Sequence, residues 1–241
     1  MLEIEDLWVD IEEKEVLKGI NLTIPVGETH ILFGKNGSGK SSLLMTIMGF
    51  ARYRVKQGRL RFLGQDITHL PTFERARLGL GLSFQRPPTI RGVKTGDIMQ
   101  VCARGRVSPQ VLAASYDFTE FLDREVNYGF SGGEIKRSEL LQLLAQDPKM
   151  VLLDEPESGV DMENLQVVGA IIGRLLQKDR RRGHREKSGL IITHTGFIMD
   201  YVDADTGYIM LDGHLICSGN PREILQDIKK YGYEECSRCR R

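Results

Sequence analysis

The residues best suited to chemistry lie in a glycine-rich stretch, GKNGSGKS, at positions 34–41. It follows a short apolar run and precedes a segment with helical spacing, Lys40 to Met48. Successive backbone N–H groups of such a loop form a concave anion site, to which the helix adds the positive end of its dipole. Lys40 is expected to reach β- and γ-phosphates, and the Ser41 hydroxyl to hold Mg²⁺. The residues predicted to bind the nucleotide here are Gly34, Lys35, Asn36, Gly37, Ser38, Gly39, Lys40, Ser41 and Ser42.

A second motif, MVLLDEP at positions 150–156, ends an apolar run with two carboxylates. In open α/β sheets, ligands bind at the carboxyl ends of the strands, which is where Asp154 and Glu155 would lie. Asp154 is predicted to hold Mg²⁺, directly or through water. Glu155 is predicted to orient an attacking water or accept its proton, a role typically worth about 10²–10⁴-fold in rate.

Two further polar residues follow predicted strands in the same way. His194 comes directly after LIIT, and Gln85 comes directly after LGLSF. Because the strands end at one edge of the sheet, both side chains are expected beside the phosphate site. We expect both to act in catalysis, with Gln85 also a ligand of the metal.

The segment NYGFSGGEIKR, residues 127–137, has two interpretations. Ser131 followed by Glu134 fits a capping box at the start of an amphipathic helix that runs to Gln146. A cap does not explain Gly132 and Gly133, since glycine in a helix costs roughly 1 kcal/mol relative to alanine. The alternative is that this turn forms half of an active site shared with another molecule.

The elements that must position these residues form an α/β pattern. Strands are predicted over residues 2–11, 16–24, 29–33, 58–63, 80–84, 150–153 and 190–193, and a hairpin turns at Asp212 and Gly213. Residues 92–146 have helical spacing and few strand formers. We therefore predict one domain, with an α/β core from residues 1–91 and 147–241 and an inserted helical subdomain from residues 92–146.

Composition restricts the class of protein. The 241 residues include 41% hydrophobic residues, enough for a full core, and equal numbers of acidic and basic residues, 33 of each. Zero net charge argues against a general electrostatic affinity for nucleic acid or anionic membrane. No apolar run reaches the 18 or so residues of a membrane-spanning helix, and the acidic start is unlike a signal peptide. We expect a cytoplasmic protein that does not insert into a membrane by itself.

Two segments have weaker interpretations. Cys236 and Cys239 form a CxxC pair that supplies only two of the four ligands of a structural zinc site, so a reduced tail is favoured over a metal or cluster contact. The basic segment from Lys178 to Lys187 is interpreted as a solvated loop.

The motifs occur in the order found in ATP-binding-cassette (ABC) ATPases, which the chain resembles from Leu2 to about Gly232. The resemblance implies a P-loop NTPase core, an N-terminal antiparallel β region and an inserted helical subdomain. It also implies ATP and Mg²⁺ as ligands and a head-to-tail dimer of two copies. In such a dimer Ser131, Gly132 and Gly133 of one copy face the γ-phosphate held by the other, and Asp161, in ESGVD, lies in the loop that crosses the seam.

Within that family the chain looks most like the SufC-type ATPases of iron–sulfur cluster assembly. The similarity is carried by NYGFSGGEIKRSELLQLL, by SFQRPPTIRGV, by ESGVD and by the YGY near the end. It implies a scaffold partner of the SufB/SufD type and no nucleic-acid partner. Pro156 is more typical of transporters, so a transporter's nucleotide-binding subunit stays the alternative. A third alternative, a soluble cassette protein acting on ribosomes or DNA, is disfavoured by the zero net charge.

The resemblance also raises a question about how the adenine base of ATP is bound. Many ABC ATPases place an aromatic ring against adenine at the position that is Ile11 here. Trp8 lies an odd number of residues away on the same predicted strand and should face the other side. We therefore expect weak ATP binding with little base selectivity.

Overall fold

The structure is a computed structural model that describes residues 1–236, with side chains through Tyr233. An antiparallel sheet forms the N-terminal region, with strand order β2-β1-β4-β5. Its strands are β1 (Leu2–Ile11), β2 (Lys14–Ile24), β4 (Arg54–Phe62) and β5 (Gln65–Asp66). The alternation of buried and exposed side chains along the first half of β1 explains why this segment forms a strand with one face in the core.

A second, six-stranded sheet forms the centre of the fold, in the order β12-β11-β3-β10-β9-β6. Its strands are β3 (Thr29–Phe33), β6 (Leu80–Ser83), β9 (Met150–Asp154), β10 (Ser188–Ile192), β11 (Thr206–Leu211) and β12 (His214–Gly219). All neighbours pair in parallel except the edge strand β12, which pairs antiparallel with β11. Strands β3, β9 and β10 are buried along their whole length, as expected for a parallel sheet covered on both faces.

Within residues 1–236, seven helices surround this central sheet. They are α1 (Lys40–Met48), α2 (Thr72–Leu78), α3 (Thr95–Ala103), α4 (Pro109–Ala114), α5 (Gly132–Gln146), α6 (Met162–Leu175) and α7 (Pro221–Cys236). Of these, α3 and α4 pack against α5 in the inserted segment. Short 3₁₀ turns occupy Thr119–Phe121, Arg182–His184 and Phe197–Asp200.

Two buried apolar clusters lie on either side of the central sheet. One joins the antiparallel sheet to α1, through residues such as Leu7, Phe62 and Leu43. The other runs without a break from Phe118 in the inserted segment to Ile171 on α6. The inserted segment therefore shares its core with the central sheet, which fixes α5 relative to the strands that end in polar residues.

Most sequence predictions of elements are confirmed. The strand Thr29–Phe33 and the helix Lys40–Met48 have the predicted bounds. Residues 92–146 are not helical throughout, because β7 (Ile90–Lys94) pairs antiparallel with the short strand β8 (Glu125–Val126). This ribbon was missed because β7 is exposed along most of its length and its residues do not alternate between apolar and polar, and because β8 has only two residues.

The basic segment is only partly a solvated loop. Lys178 is mostly buried, 3.9 Å from Asp205, and Arg182 forms ion pairs with both Glu28 and Asp205. The solvated-loop interpretation is therefore wrong for Lys178, which is largely buried beside Asp205, whereas the Arg182 side chain stays 64% exposed. Cys239 and the side chain of Cys236 lie outside the described residues.

Candidate nucleotide-binding and hydrolysis site

The glycine loop, residues 34–39, connects β3 to α1 at the carboxyl edge of the central sheet. Gly39 begins the helix with φ of 108°, a backbone conformation that side-chain-bearing residues rarely adopt. The Lys40 ammonium donates hydrogen bonds to the carbonyl oxygens of Gly34 (2.8 Å) and Lys35 (2.9 Å). Burial lowers the pKa of Lys40, while the carboxylates of Glu155 and Asp154 oppose that shift. The lysine is thus placed beside the loop and faces both acidic residues.

A cavity of about 640 Å³ opens beside this loop. It is lined by residues of the glycine loop and α1, by Gln85 and Glu155, by the β11–β12 turn and by β2. The β2 side consists of Lys14, Glu15, Val16 and Lys18. This volume lies in the range of small-molecule sites, and the lining carries both phosphate-binding and acidic groups.

Asp154 and Ser41 have the chemistry that a divalent cation needs. Asp154 ends β9 and is buried, and its Oδ1 has no hydrogen-bond partner among the described residues. Burial raises the pKa of Asp154, and a hydrogen bond from the Ser41 hydroxyl acts in the opposite direction. A buried carboxylate oxygen without a partner beside a hydroxyl fits Mg²⁺, which binds through one or two carboxylates and substrate phosphates.

The three predicted catalytic side chains are brought together around one carboxylate. Gln85 donates from Nε2 to Oε2 of Glu155 at 2.7 Å, and Nδ1 of His194 lies 3.3 Å from the same oxygen. The Glu155 backbone is left-handed, with φ of 46°, and its N–H donates to the carbonyl of Ile192. Glu155 is buried at the cavity wall, whereas the His194 side chain is 44% exposed. Such an arrangement allows the Glu155 carboxylate and the His194 imidazole to contact the same water molecule.

The segment at residues 131–134 forms the predicted capping box. Ser131 Oγ accepts from the backbone N–H of Glu134, and the Glu134 carboxylate accepts from the backbone N–H of Ser131 at 2.7 Å. The first turn also has a steric requirement that the sequence did not indicate. A Cβ on Gly132 would lie 2.1 Å from the carbonyl oxygen of Gly159, and a Cβ on Gly133 would lie 2.6 Å from the Asn164 side chain. Close packing of α5 on the segment before α6 therefore gives one reason for both glycines.

Asp161 lies next to this contact as the N-cap of α6. Its carboxylate accepts from the backbone N–H of Asn164 at 2.9 Å and from the Asn164 amide at 2.8 Å. The backbone hydrogen bond is the main reason that the pKa of Asp161 is lowered. Asp161 is exposed, so the loop that contains it is available to a second molecule.

Sequence reasoning missed several buried polar groups near the site. Glu157 accepts hydrogen bonds from Thr193 and from Thr195 (3.0 Å), and burial raises the pKa of Glu157. The signal was present, because Glu157 follows the acidic pair by two residues and Thr193 directly precedes His194.

Ile11, the position expected to face adenine, is not among the described residues that line the cavity, and neither is Trp8. Trp8 donates from its indole nitrogen to Asp6 at 2.8 Å. The β2 side of the cavity is lined by charged and aliphatic side chains.

Comparison with known proteins agrees with this geometry. The family described as "ABC transporter" matches residues 17–158. The chain is 37% identical over 250 residues to "Probable ATP-dependent transporter ycf16" of Pyropia yezoensis, covering 97% of this chain and 96% of that protein. It is 38% identical over 247 residues to "Probable ABC transporter ATP-binding protein SpyM3_0208" of Streptococcus pyogenes, covering 97% and 93%. It is 37% identical over 248 residues to "Vegetative protein 296" of Bacillus subtilis, covering 97% and 92%.

Solved structures agree on the fold. A nucleotide-free ATP-binding cassette from an ABC transporter superposes with a TM-score of 0.79 at 24% identity, covering 98% of both chains. Within residues 1–236, no helix combines the length and the apolar character needed to cross a membrane. The match over more than half of the chain, with near-complete coverage of its relatives, leads to one assignment: this chain is a member of the ABC ATPase family that binds ATP with Mg²⁺ and hydrolyses ATP.

Proposed function

We propose that two copies of this chain pair head to tail, so that each ATP is held by the glycine loop of one copy and residues 131–133 of the other. Cassettes of this family typically dimerise and associate with membrane or scaffold subunits. One observation carries the proposal. Within the described part of the chain, Ser131 and Gly132 are exposed but are not among the residues that line the nucleotide cavity. A second copy supplies this half of the site.

The proposal gives each residue at the cavity a role. The backbone of residues 34–39 and the Lys40 ammonium bind phosphate oxygens, and Ser42 adds a hydroxyl next to the loop. Ser41 and Asp154 would hold Mg²⁺, with Gln85 as a further ligand, and the bound ion would supply positive charge beside the phosphates. Glu155 orients the attacking water, and His194 and Gln85 fix the position of the Glu155 carboxylate.

We further propose that the complete assembly is of the SufC type, in which a SufB/SufD-like scaffold holds two copies of the ATPase. The support is the segment that begins at residue 127, with Glu134, Lys136 and Glu139 in the first turns of α5. Lys136 and Glu139 are buried and bind the end of β6. A transporter subunit is the second candidate, because relatives are named as ABC transporter ATP-binding proteins and because Pro156 follows the acidic pair.

Mixing two inactive variants tests the shared site. Lys40→Ala damages the glycine loop, and Ser131→Arg damages the segment that faces the other copy's phosphate. Each variant by itself should lose hydrolysis, since every site in its homodimer carries one defect. In a mixed dimer one site carries both defects and the other carries neither. Random pairing makes about half of the dimers mixed, so activity should return to roughly a quarter of the wild-type value if sites act independently.

Circular dichroism and thermal unfolding must first show that both variants fold, since arginine at a helix N-terminus opposes the macrodipole. ATP-dependent dimerisation, followed by ultracentrifugation in a Glu155→Gln background, gives a reading that is independent of turnover. Normal hydrolysis by Ser131→Arg alone would show that residues 131–134 are only a helix cap.

The scaffold assignment has its own test. A scaffold that holds two copies raises their effective concentration, so turnover per ATPase should rise when the scaffold is added. Copurification of the untagged partner identifies it. A partner with membrane-spanning segments would favour the transporter alternative, and unchanged turnover over a wide range of scaffold concentration would contradict the scaffold role.

A further inference from the structure

Two charged side chains of α5 bind the backbone of one residue, Phe84, which directly follows β6. Glu139 accepts from the backbone N–H of Phe84 at 2.7 Å and from the Ser83 hydroxyl at 2.5 Å. Lys136, one turn earlier on α5, donates to the carbonyl oxygen of Phe84. The donor and the acceptor of Phe84 are therefore both held by the helix that begins with residues 131–134.

The pair is buried and its charges compensate each other. Lys136 is 2% exposed and Glu139 is 8% exposed, and Lys136 Nζ lies 3.7 Å from Glu139 Oε2. Burial lowers the pKa of Lys136 and raises the pKa of Glu139, and the attraction between them opposes both shifts. Asp154 and Glu157 also face Lys136 and favour its charged form. Removing one partner leaves a buried charge uncompensated, so both residues must be kept together.

Gln85, the residue directly after Phe84, donates a hydrogen bond to Glu155. A displacement of α5 must therefore move the Phe84 peptide, and with it the start of the Gln85 loop. Two hydrogen bonds, one to the N–H and one to the carbonyl oxygen of Phe84, thus link α5 to the residue that precedes Gln85.

We propose that Lys136 and Glu139 are positioning residues that transmit the position of the α5 start to Gln85, and through Gln85 to Glu155, within one subunit. This inference rests on the proposed roles of Gln85 and Glu155 and goes beyond them. Binding of a second copy's ATP at residues 131–133 is then sensed at the hydrolytic carboxylate of the subunit that supplies those residues.

A double-mutant cycle tests the path. Glu139→Gln keeps the size of the side chain but removes its charge, and we expect kcat to fall on the order of 10-fold, with the Kd for ATP unchanged. In a Gln85→Ala background, Glu139→Gln should have little further effect on kcat, because the contact between Gln85 and Glu155 is already absent. If Glu139→Gln does not fold, Lys136→Met can take its place in the double-mutant cycle with Gln85→Ala. Hydrogen exchange at the Phe84 amide should accelerate in Glu139→Gln.

The control is Glu28→Gln, which removes a partly buried carboxylate at the opposite edge of the sheet, where Glu28 pairs with His30 and Arg182. It should alter the free energy of unfolding with kcat unchanged. Equal losses of kcat from Glu139→Gln in the presence and absence of Gln85 would overturn the inference and leave the proposed role of Gln85 intact. An unchanged kcat in the single variant Gln85→Ala would contradict both this inference and the proposed role of Gln85.

Discussion

Replacing Gly132 by alanine separates packing of the first turn of α5 from its proposed contact with phosphate. Alanine is the better helix former by about 1 kcal/mol. Its Cβ, however, would lie 2.1 Å from the carbonyl oxygen of Gly159, and an ordinary contact begins at 3.4 Å. The first turn and the Gly159 loop must move apart by 1.3 Å. Overpacking of this kind costs about 1–3 kcal/mol, so the net loss should be about 0–2 kcal/mol after the gain in helix propensity.

The matched control is Gly173→Ala on α6. A Cβ on Gly173 meets no atom within 4 Å, so this variant should gain stability from helix propensity alone, by about 1 kcal/mol. Urea unfolding at equilibrium, with the slope checked for constancy, measures both variants. If Gly132→Ala is as stable as Gly173→Ala, the close approach to Gly159 does not limit this position. If it also keeps ATP-dependent dimerisation, neither packing nor phosphate explains the glycine.

Two further outcomes are expected. Lys178 has its pKa lowered to about 8 by burial, and its Nζ finds no hydrogen bond among the described residues. Between pH 8 and the ordinary value of 10.5 the unfolded chain binds more protons, so the cost of burying Lys178 is fully present below pH 8 and fades as pH rises through this window. Lys178→Met should therefore raise the free energy of unfolding by up to about 3 kcal/mol at pH 7 and by less at pH 9.5; an equal gain at both pH values in urea titrations would refute the reasoning. Ile11→Tyr should tighten ATP binding by an amount of order 1 kcal/mol if a ring at the end of β1 reaches the base; unchanged ATP affinity by calorimetry would place the base against β2 alone.

Much of the candidate site follows from the order of the chain. Asp154, His194 and Gln85 each come directly after an apolar run, and parallel strands end at one edge of a sheet. The structure accordingly brings Gln85 and His194 to the same carboxylate oxygen of Glu155. Their catalytic roles stay predictions, which rates of hydrolysis by variants at these positions would test.

The sequence could not indicate contacts between segments far apart in the chain. Glu139 lies 55 residues from Phe84, and helical spacing shows only that it points into the core, where a glutamate would be unexpected. Lys136, three residues earlier, is visible in the sequence. The other two partners of Glu139 are the Ser83 hydroxyl and the Phe84 backbone N–H, and no pattern along α5 indicates that these groups lie beside it. The same holds for Gly132, because the carbonyl oxygen of Gly159 leaves no room for a Cβ at this position.

The sequence by itself determined the glycine loop, the acidic strand end, the capping box and the family, because each depends on residues that are close in the chain and on local backbone physics. Only the tertiary structure decided which face of α5 binds β6, which strand of the antiparallel sheet lines the cavity and which basic residues are buried. Those features depend on how elements pack across the sheet, and packing is set by shape and charge summed over distant segments.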